Sequence, residues 1–264
     1  MMGIVTPARA MTWDDIASAV DAGEHERALD GALAAWRARR DGRLADLVDV
    51  LGSSTPPEPF SANGAKAFQA AWLARANRAT PAMLGGLLAT LTRSIPMPPR
   101  PSWEEGSAAA RFAAWFERVE ALSNLPDDPR IAAALFDVVR RAPWSSHYPS
   151  ETAAAYAPAL RLIERIGDER LITPMRSLVD TPTASRQTTR RYLSSALPAV
   201  IGALEDAQSR QQPLDPAERE RCERIIEQLG GRVRAERGGL GGALVRGTRR
   251  RRGRAFRARR REPG

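Results

Sequence analysis

Apolar residues recur along this chain with the spacing of an α-helix. They fall at positions i, i+3, i+4 and i+7, which places one apolar stripe on a helix that must pack against a neighbour. Clear stripes are Trp13/Ile16/Ala17/Val20, Leu29/Ala32/Leu33/Trp36, Leu84/Leu87/Leu88/Leu91, Phe112/Trp115/Phe116/Val119 and Cys222/Ile225/Ile226/Leu229. No segment shows a convincing run of strict alternation, the pattern of a half-buried strand. The chain is therefore predicted to be all-α.

Helix starts agree with these stripes. At three positions a capping residue precedes proline, whose missing N–H costs nothing in the first turn of a helix. These predicted starts are Thr80-Pro81, Asp128-Pro129 and Asp215-Pro216. Thr12 with Asp15 resembles a capping box. Proline-rich breaks between helices are expected at 52–61, 95–102 and 142–149.

A degenerate repeat links several helix starts. The starts Asp41-Gly42-Arg43-Leu44, Asp128-Pro129-Arg130-Ile131 and Asp168-Glu169-Arg170-Leu171 share an Asp-x-Arg-apolar pattern. The last two lie 40 residues apart and the first two 87 apart, about two such periods. A period near ~40 is typical of HEAT and armadillo helix pairs. The pattern predicts an irregular solenoid of antiparallel pairs, with the acid capping the helix and the arginine exposed beside the next pair. The alternative is an irregular bundle with chance similarity between short motifs.

Charge divides the chain into two parts. Residues 232–264 contain 13 arginines and two glutamates, a balance of +11 within a total of +9. The other 231 residues therefore carry −2. We predict an α-helical repeat domain at 12–231, with a possible sub-boundary near 95–105, followed by a disordered Arg/Gly-rich tail at 232–264.

Two stretches carry a family resemblance. They read FAAWFERVEALSNLPDDPRIAAALFDVVRRAPWSS from Phe112 and ALRLIERIGDERLITPMRSLV from Ala159. The block is similar to uncharacterised bacterial proteins in which a HEAT-like helical region precedes a short repeat-companion domain. The resemblance extends over about Thr12 to Gly231 and implies helix pairs, but that family has no known activity to transfer.

The tail departs from that family. The companion domain begins with an aspartate run, whereas this chain continues as GTRRRRGRAFRARRREPG. Repeated GAC codons read two bases later become CGA codons, which encode arginine. Our hypothesis is that residues from about Arg232 onward are an out-of-frame translation of a companion domain. Genomic DNA without an alternative frame encoding an Asp-rich helical segment would remove this hypothesis.

Reactive side chains are sparse and scattered. Cys222 is the only cysteine, so neither an intrachain disulfide framework nor a multi-cysteine zinc site is expected. His25 lies in Glu24-His25-Glu26 on the polar face of a predicted helix, where a solvated residue is expected. His147 follows two serines in a loop, but catalysis would also need an orienting acid and an oxyanion hole. No catalytic residue, cofactor or metal ligand is predicted.

Function is expected to be non-enzymatic. The first hypothesis is a scaffold that binds another protein, with Arg140, Arg141 and Trp144 as a possible interaction surface. The second is nucleic-acid binding through the tail. Its contacts would be Arg249, Arg250, Arg251, Arg252, Arg254, Arg257, Arg259, Arg260 and Arg261. A third, a DNA glycosylase of the HEAT-like kind, is disfavoured by the net acidic body.

Location is an expectation drawn from missing signals. No stretch approaches the ~20 apolar residues that span a bilayer, and residues 1–12 lack the charged and apolar regions of a secretory signal. A cytoplasmic protein with no membrane partner is therefore expected. Met11 precedes a predicted helix, so either Met1 or Met11 could be the initiator.

Overall fold

The protein is helical throughout the part that the structure describes. The computed structural model describes residues 11–54, 64–93, 107–141, 149–180 and 187–230. Every regular element in these ranges is a helix, and no strand occurs in them. This confirms the all-α prediction. The solenoid stays a prediction.

Eleven α-helices lie in the described ranges. In chain order they are α1 (Trp13–Asp21), α2 (His25–Arg39), α3 (Gly42–Ser54), α4 (Ala65–Ala76), α5 (Pro81–Arg93), α6 (Ser107–Ser123), α7 (Pro129–Arg141), α8 (Pro149–Ile166), α9 (Ile172–Asp180), α10 (Gln187–Ser209) and α11 (216–230). A 3₁₀ turn, Glu169–Leu171, leads into α9.

The predicted helix starts are confirmed. The hydroxyl of Thr12 accepts a hydrogen bond from the Asp15 N–H at 3.2 Å, and the Asp15 carboxylate accepts one from the Thr12 N–H at 2.8 Å. This is a complete capping box. Helices α5 and α7 begin at the predicted prolines. At α11 the carboxylate of Asp215 accepts from the Glu218 N–H at 2.8 Å. The first predicted break begins later than expected, because α3 continues to Ser54.

Helices that are adjacent in sequence pack against each other in pairs. Helix α2 packs against α3, α7 against α8, and α9 against α10, while α8 and α10 lie side by side. Helix α3 also contacts α5 and α7. Its first residue, Gly42, donates its N–H to Glu169 at 3.1 Å. The turn between α2 and α3 therefore meets the turn between α8 and α9.

Two apolar clusters form the interior. One is built from α4 to α10 and includes Trp72, Leu122 and Ile163. The other is built from α1, α2, α3 and α11, and includes Trp36 and Cys222. The clusters separate between α3 and α4, whereas the predicted sub-boundary at 95–105 lies outside the described residues.

Helix α11 returns to the beginning of the chain. The thiol of Cys222 donates to the Arg43 carbonyl at 3.4 Å, and the amide of Gln228 donates to Asp21 at 2.8 Å, across 207 positions of sequence. In an open solenoid each repeat contacts only its neighbours. Here the last described helix instead completes the core of the first three helices.

Two of the three tryptophans on the predicted apolar stripes are fully buried, and so is Trp72. Trp36, Trp72 and Trp115 are at most 2% exposed. Trp13 is half-buried and donates its indole N–H to Glu218 at 3.2 Å. Tryptophan adds a large apolar surface to each cluster, so these residues serve packing.

Glu218 gives the contact between α11 and α1–α2 a pH dependence. The hydrogen bond from Arg39 lowers the pKa of Glu218 from 4.5 to about 2, partial burial opposes this, and Trp13 adds to it. A lowered carboxyl pKa contributes stability that is present above the unfolded pKa and is lost as the pH falls through the folded pKa. After allowance for solvent screening, we expect the contribution to be about 1 kcal/mol, lost between about pH 4.5 and 2.

The Glu218→Gln variant tests this contribution. We expect it to be less stable than the wild type by that amount at pH 6, with the difference vanishing near pH 2, in denaturant unfolding at both pH values. Glu227→Gln, an exposed position on the same helix, is the control and should show little difference at either pH. A Glu218→Gln deficit that is equal at both pH values would contradict the prediction.

Candidate interaction surfaces

Arg130 is a buried charged residue at the start of α7. Its Nε donates to Oδ1 of Asp128 at 3.0 Å and its Nη2 to Oδ2 at 2.6 Å. Such two-point guanidinium–carboxylate pairs are among the stronger hydrogen-bonded contacts in proteins. Asp128 also accepts from the backbone N–H of Arg130, so it caps α7. The Nη2 of Arg130 also reaches the Pro81 carbonyl at 2.9 Å. The pair therefore ties the start of α7 to the start of α5.

Arg170 repeats this geometry before α9. Its Nε and Nη2 donate to Asp168 at 2.8 and 3.0 Å, and Asp168 accepts from the Arg170 backbone N–H. Its Nη1 donates to Asp46 at 3.0 Å and to Asp49 at 2.6 Å, both on α3. Burial raises the pKa of Asp49, and Arg170 opposes that rise. The pair therefore ties the start of α9 to the middle of α3.

The third copy of the motif behaves differently. Asp41 accepts from the Arg43 backbone N–H at 2.8 Å and from the Leu214 N–H at 3.4 Å. The Arg43 side chain is half-exposed and lies within 3.4 Å of Asp46 and 3.5 Å of Glu223. An exposed arginine was predicted for all three copies. That prediction is confirmed for Arg43. It is wrong for Arg130, which is 7% exposed because it lies between α7, α5 and α3, and for Arg170, whose side chain is 21% exposed because it packs against α3.

Gly52 makes room for Arg130. A Cβ at this position of α3 would overlap Nη1 of Arg130, whose guanidinium is held by Asp128 and Pro81. We expect Gly52→Ala to lower the free energy of unfolding by about 1–3 kcal/mol, as overpacking does. Gly202→Ala in α10 is the matched control, since nothing lies within 4 Å of its Cβ position.

The control variant should have a higher free energy of unfolding than the wild type, the opposite of Gly52→Ala. Alanine favours a helix over glycine by about 0.5–1 kcal/mol where space allows, so Gly202→Ala should stabilise the protein. Thermal and urea unfolding of the two variants against the wild type make the comparison. A Gly52→Ala protein as stable as Gly202→Ala would show that the Arg130 guanidinium moves freely.

The predicted surface at the end of α7 is described only in part. Arg140 donates to Asp137 at 2.7 Å. Arg141 pairs with the same carboxylate and donates to the Thr92 carbonyl of α5 at 3.0 Å. Both arginine side chains are about half exposed, 57% and 45%. Trp144 lies outside the described residues, so the role of this surface in binding stays a prediction.

The nine tail arginines predicted to contact nucleic acid, Arg249 to Arg261, also lie outside the described residues, as does His147. His25 is half-buried at the start of α2 rather than fully solvated. Its Nε2 is shielded from solvent without a hydrogen-bond partner. Burial raises the pKa of Cys222 to about 12, and Asp41 adds to the rise, so this thiol is unreactive at neutral pH.

The α1–α2 hairpin carries a concentration of negative charge. Residues 11–34 contain six acidic residues and one arginine, a balance of −5. All six acidic residues are exposed. They are Asp14, Asp15, Asp21, Glu24, Glu26 and Asp30. We call this group the acidic hairpin surface.

Its charges are only partly compensated. Arg27 pairs with Glu24 at 2.9 Å, and Arg221 of α11 lies 3.7 Å from Asp14. Asp21, Glu26 and Asp30 form no ion pair with a described arginine or lysine. Burial raises the pKa of Asp30, Arg37 opposes the rise and Glu26 adds to it. The surface therefore favours a cationic ligand.

Comparison with protein-family models, curated proteins and solved structures finds no match to this chain. Within the described ranges, no group of three or more His, Cys, Asp or Glu residues is placed to hold a metal ion. None of the described helices is long and apolar enough to cross a membrane.

Sequence reasoning missed the acidic hairpin surface, although a signal for it existed. The charge balance was taken over the whole body, where −2 indicates a nearly neutral protein. The same balance taken over residues 11–34, which stop short of Arg37 and Arg39 in the last turn of α2, gives −5, against +3 for the remaining 207 residues of the body. A local charge count would therefore have located the surface.

Proposed function

We propose that the protein is a non-enzymatic helical-repeat scaffold whose exposed helix faces bind another protein. The observation that carries the proposal is a repeated contact, the ion pairs Asp128–Arg130 and Asp168–Arg170. In each pair the arginine also forms a hydrogen bond to a different helix. Stacked helices that are connected by such ion pairs supply an extended rigid surface for a partner. Rigidity favours binding because less conformational freedom is lost on association.

The spacing of helix starts supports a HEAT-like repeat. The helices that follow Asp41, Thr80, Asp128, Asp168 and Asp215 begin at intervals of 39 to 48 residues. The resemblance to repeat-companion proteins points to the same unit. We propose a short HEAT-like series of helices in which α11 also covers α1, α2 and α3.

The test is affinity capture with the full chain followed by reconstitution from purified components. We expect a protein retained in near-stoichiometric amount after nuclease treatment, and a complex that re-forms with a measurable Kd. An Arg140→Ser/Arg141→Ser variant with unchanged secondary structure should bind more weakly if the α7 end contributes. Failure of every retained protein to re-form a complex would contradict the scaffold function.

Nucleic-acid binding is the alternative, favoured by the 13 arginines of residues 232–264. Each neutralised phosphate contributes about −0.9 to the slope of log K against log salt concentration on duplex DNA. A chain with the nine clustered arginines changed to serine should bind duplex DNA more weakly, and its affinity should depend less steeply on salt concentration. Equal binding by that variant and the wild type would remove this alternative.

A further inference from the structure

The arginine-rich tail leaves the described structure beside the acidic hairpin surface. The described part of helix α11 extends to residue 230, and two residues earlier the amide of Gln228 donates to Asp21 at 2.8 Å. Residues 231–264 follow with a balance of +11. The origin of the tail therefore lies next to carboxylates of the opposite charge.

The described part of the protein leaves this surface open to a cation. Asp21, Glu26 and Asp30 are exposed and without an ion pair to any described arginine or lysine. The local balance of −5 exceeds the −2 of the whole body, so residues outside 11–34 are net positive. The acidic hairpin surface is thus a part of the body to which a polycation is attracted.

We propose that the arginine-rich tail docks on the acidic hairpin surface of the same chain. Arg249, the first of the clustered arginines, is 19 residues beyond the end of α11, a reach of up to about 60 Å when extended. A short tether keeps the tail at an effective concentration of about a millimolar, so weak single contacts suffice. Guanidinium groups suit this role because they pair with carboxylates at two points.

Docking would regulate both proposed activities. A docked tail covers the surface that a basic partner would contact, and withholds its guanidinium groups from phosphate. Docking would also argue against the frameshift hypothesis, because an out-of-frame segment has no reason to be complementary in charge to a surface of the body. The proposal goes beyond the scaffold function, and its test needs no binding partner.

The test measures trypsin cleavage of the tail in the full chain, followed by intact mass after nuclease treatment. The variant is Asp21→Asn/Glu26→Gln/Asp30→Asn, in which the amide oxygen introduced in place of the Asp21 carboxylate can still accept from Gln228. The control is Glu120→Gln/Glu164→Gln/Asp180→Asn, which removes three exposed carboxylates on α6, α8 and α9 that form no ion pair with a described arginine or lysine. Both proteins differ from the wild type by the same charge. Unfolding midpoints establish that each is folded.

At about 0.05 M salt, we expect the tail to be cleaved about three- to tenfold faster in the hairpin variant than in the wild type and the control, because three surface ion pairs are lost. At about 1 M salt, where screening acts within about 3 Å, the rates should converge. Equal rates in the hairpin and control variants at low salt would overturn the proposal. Protection that disappears with nuclease treatment would also overturn it, in favour of nucleic-acid binding.

Discussion

Replacing Asp128 by alanine is expected to lower the free energy of unfolding by about 3–5 kcal/mol, the usual cost of removing one partner from a buried ion pair. Asp128 and Arg130 have side chains only 3% and 8% exposed. Without Asp128 the Arg130 guanidinium keeps the Pro81 carbonyl as a hydrogen-bond acceptor, while its Nη1 already has no hydrogen-bond partner among the described residues. The variant also loses the cap of α7.

The neighbouring residue provides the control. Asp127 pairs with Arg40 and lies 3.6 Å from Arg165, but its side chain is 30% exposed. Asp127→Ala should therefore cost about 1 kcal/mol or less. Denaturant unfolding with matched m values compares the two variants. A similar loss for both would show that the Asp128–Arg130 pair is solvated.

A double variant separates the ion pair from the cap. Adding Arg130→Met to Asp128→Ala removes the unpaired charge and replaces it with an apolar side chain of similar length. We expect it to recover all but about 1–2 kcal/mol, the remainder being the lost cap. A double variant no more stable than Asp128→Ala would place the whole effect in the cap.

Helix starts were predictable from the sequence because they are decided within a single turn. The capping box at Thr12 and the prolines at 81 and 129 need only residues within three or four positions of each other. The same holds for the apolar stripes, which correctly predicted the burial of Trp36 and Trp115. Local spacing determines which side of a helix is buried.

The sequence did not show which helices pack against each other. The stripe Cys222/Ile225/Ile226/Leu229 shows that α11 has an apolar face, but many other faces in the chain would match it. Arg43 and Arg130 occupy the same place in their motifs, yet one is exposed and the other buried. The difference depends on which helix lies opposite. Gly52 opens that space for Arg130 from 78 positions away.

Ile225→Asp is expected to destabilise the protein by about 4 kcal/mol or more, because it buries an unpaired carboxylate. Ile225 is 5% exposed and belongs to the cluster formed with α1, α2 and α3. The control is Ala217→Asp, which places the same side chain at an exposed position in the first turn of α11. There a carboxylate faces the positive end of the helix dipole, so stability should change by less than about 0.5 kcal/mol.

Hydrogen exchange of Ile225→Asp also reveals which helices depend on α11. If the chain were an open stack, weakening the last helix would first expose its neighbours in sequence, α9 and α10. The observed packing predicts the opposite order, since α11 shares its core with α1–α3 while α9 and α10 belong to the other cluster. Amides of α2 and α3 should therefore lose protection before those of α10. Loss that begins in α9 and α10 would contradict the closure of the chain by α11.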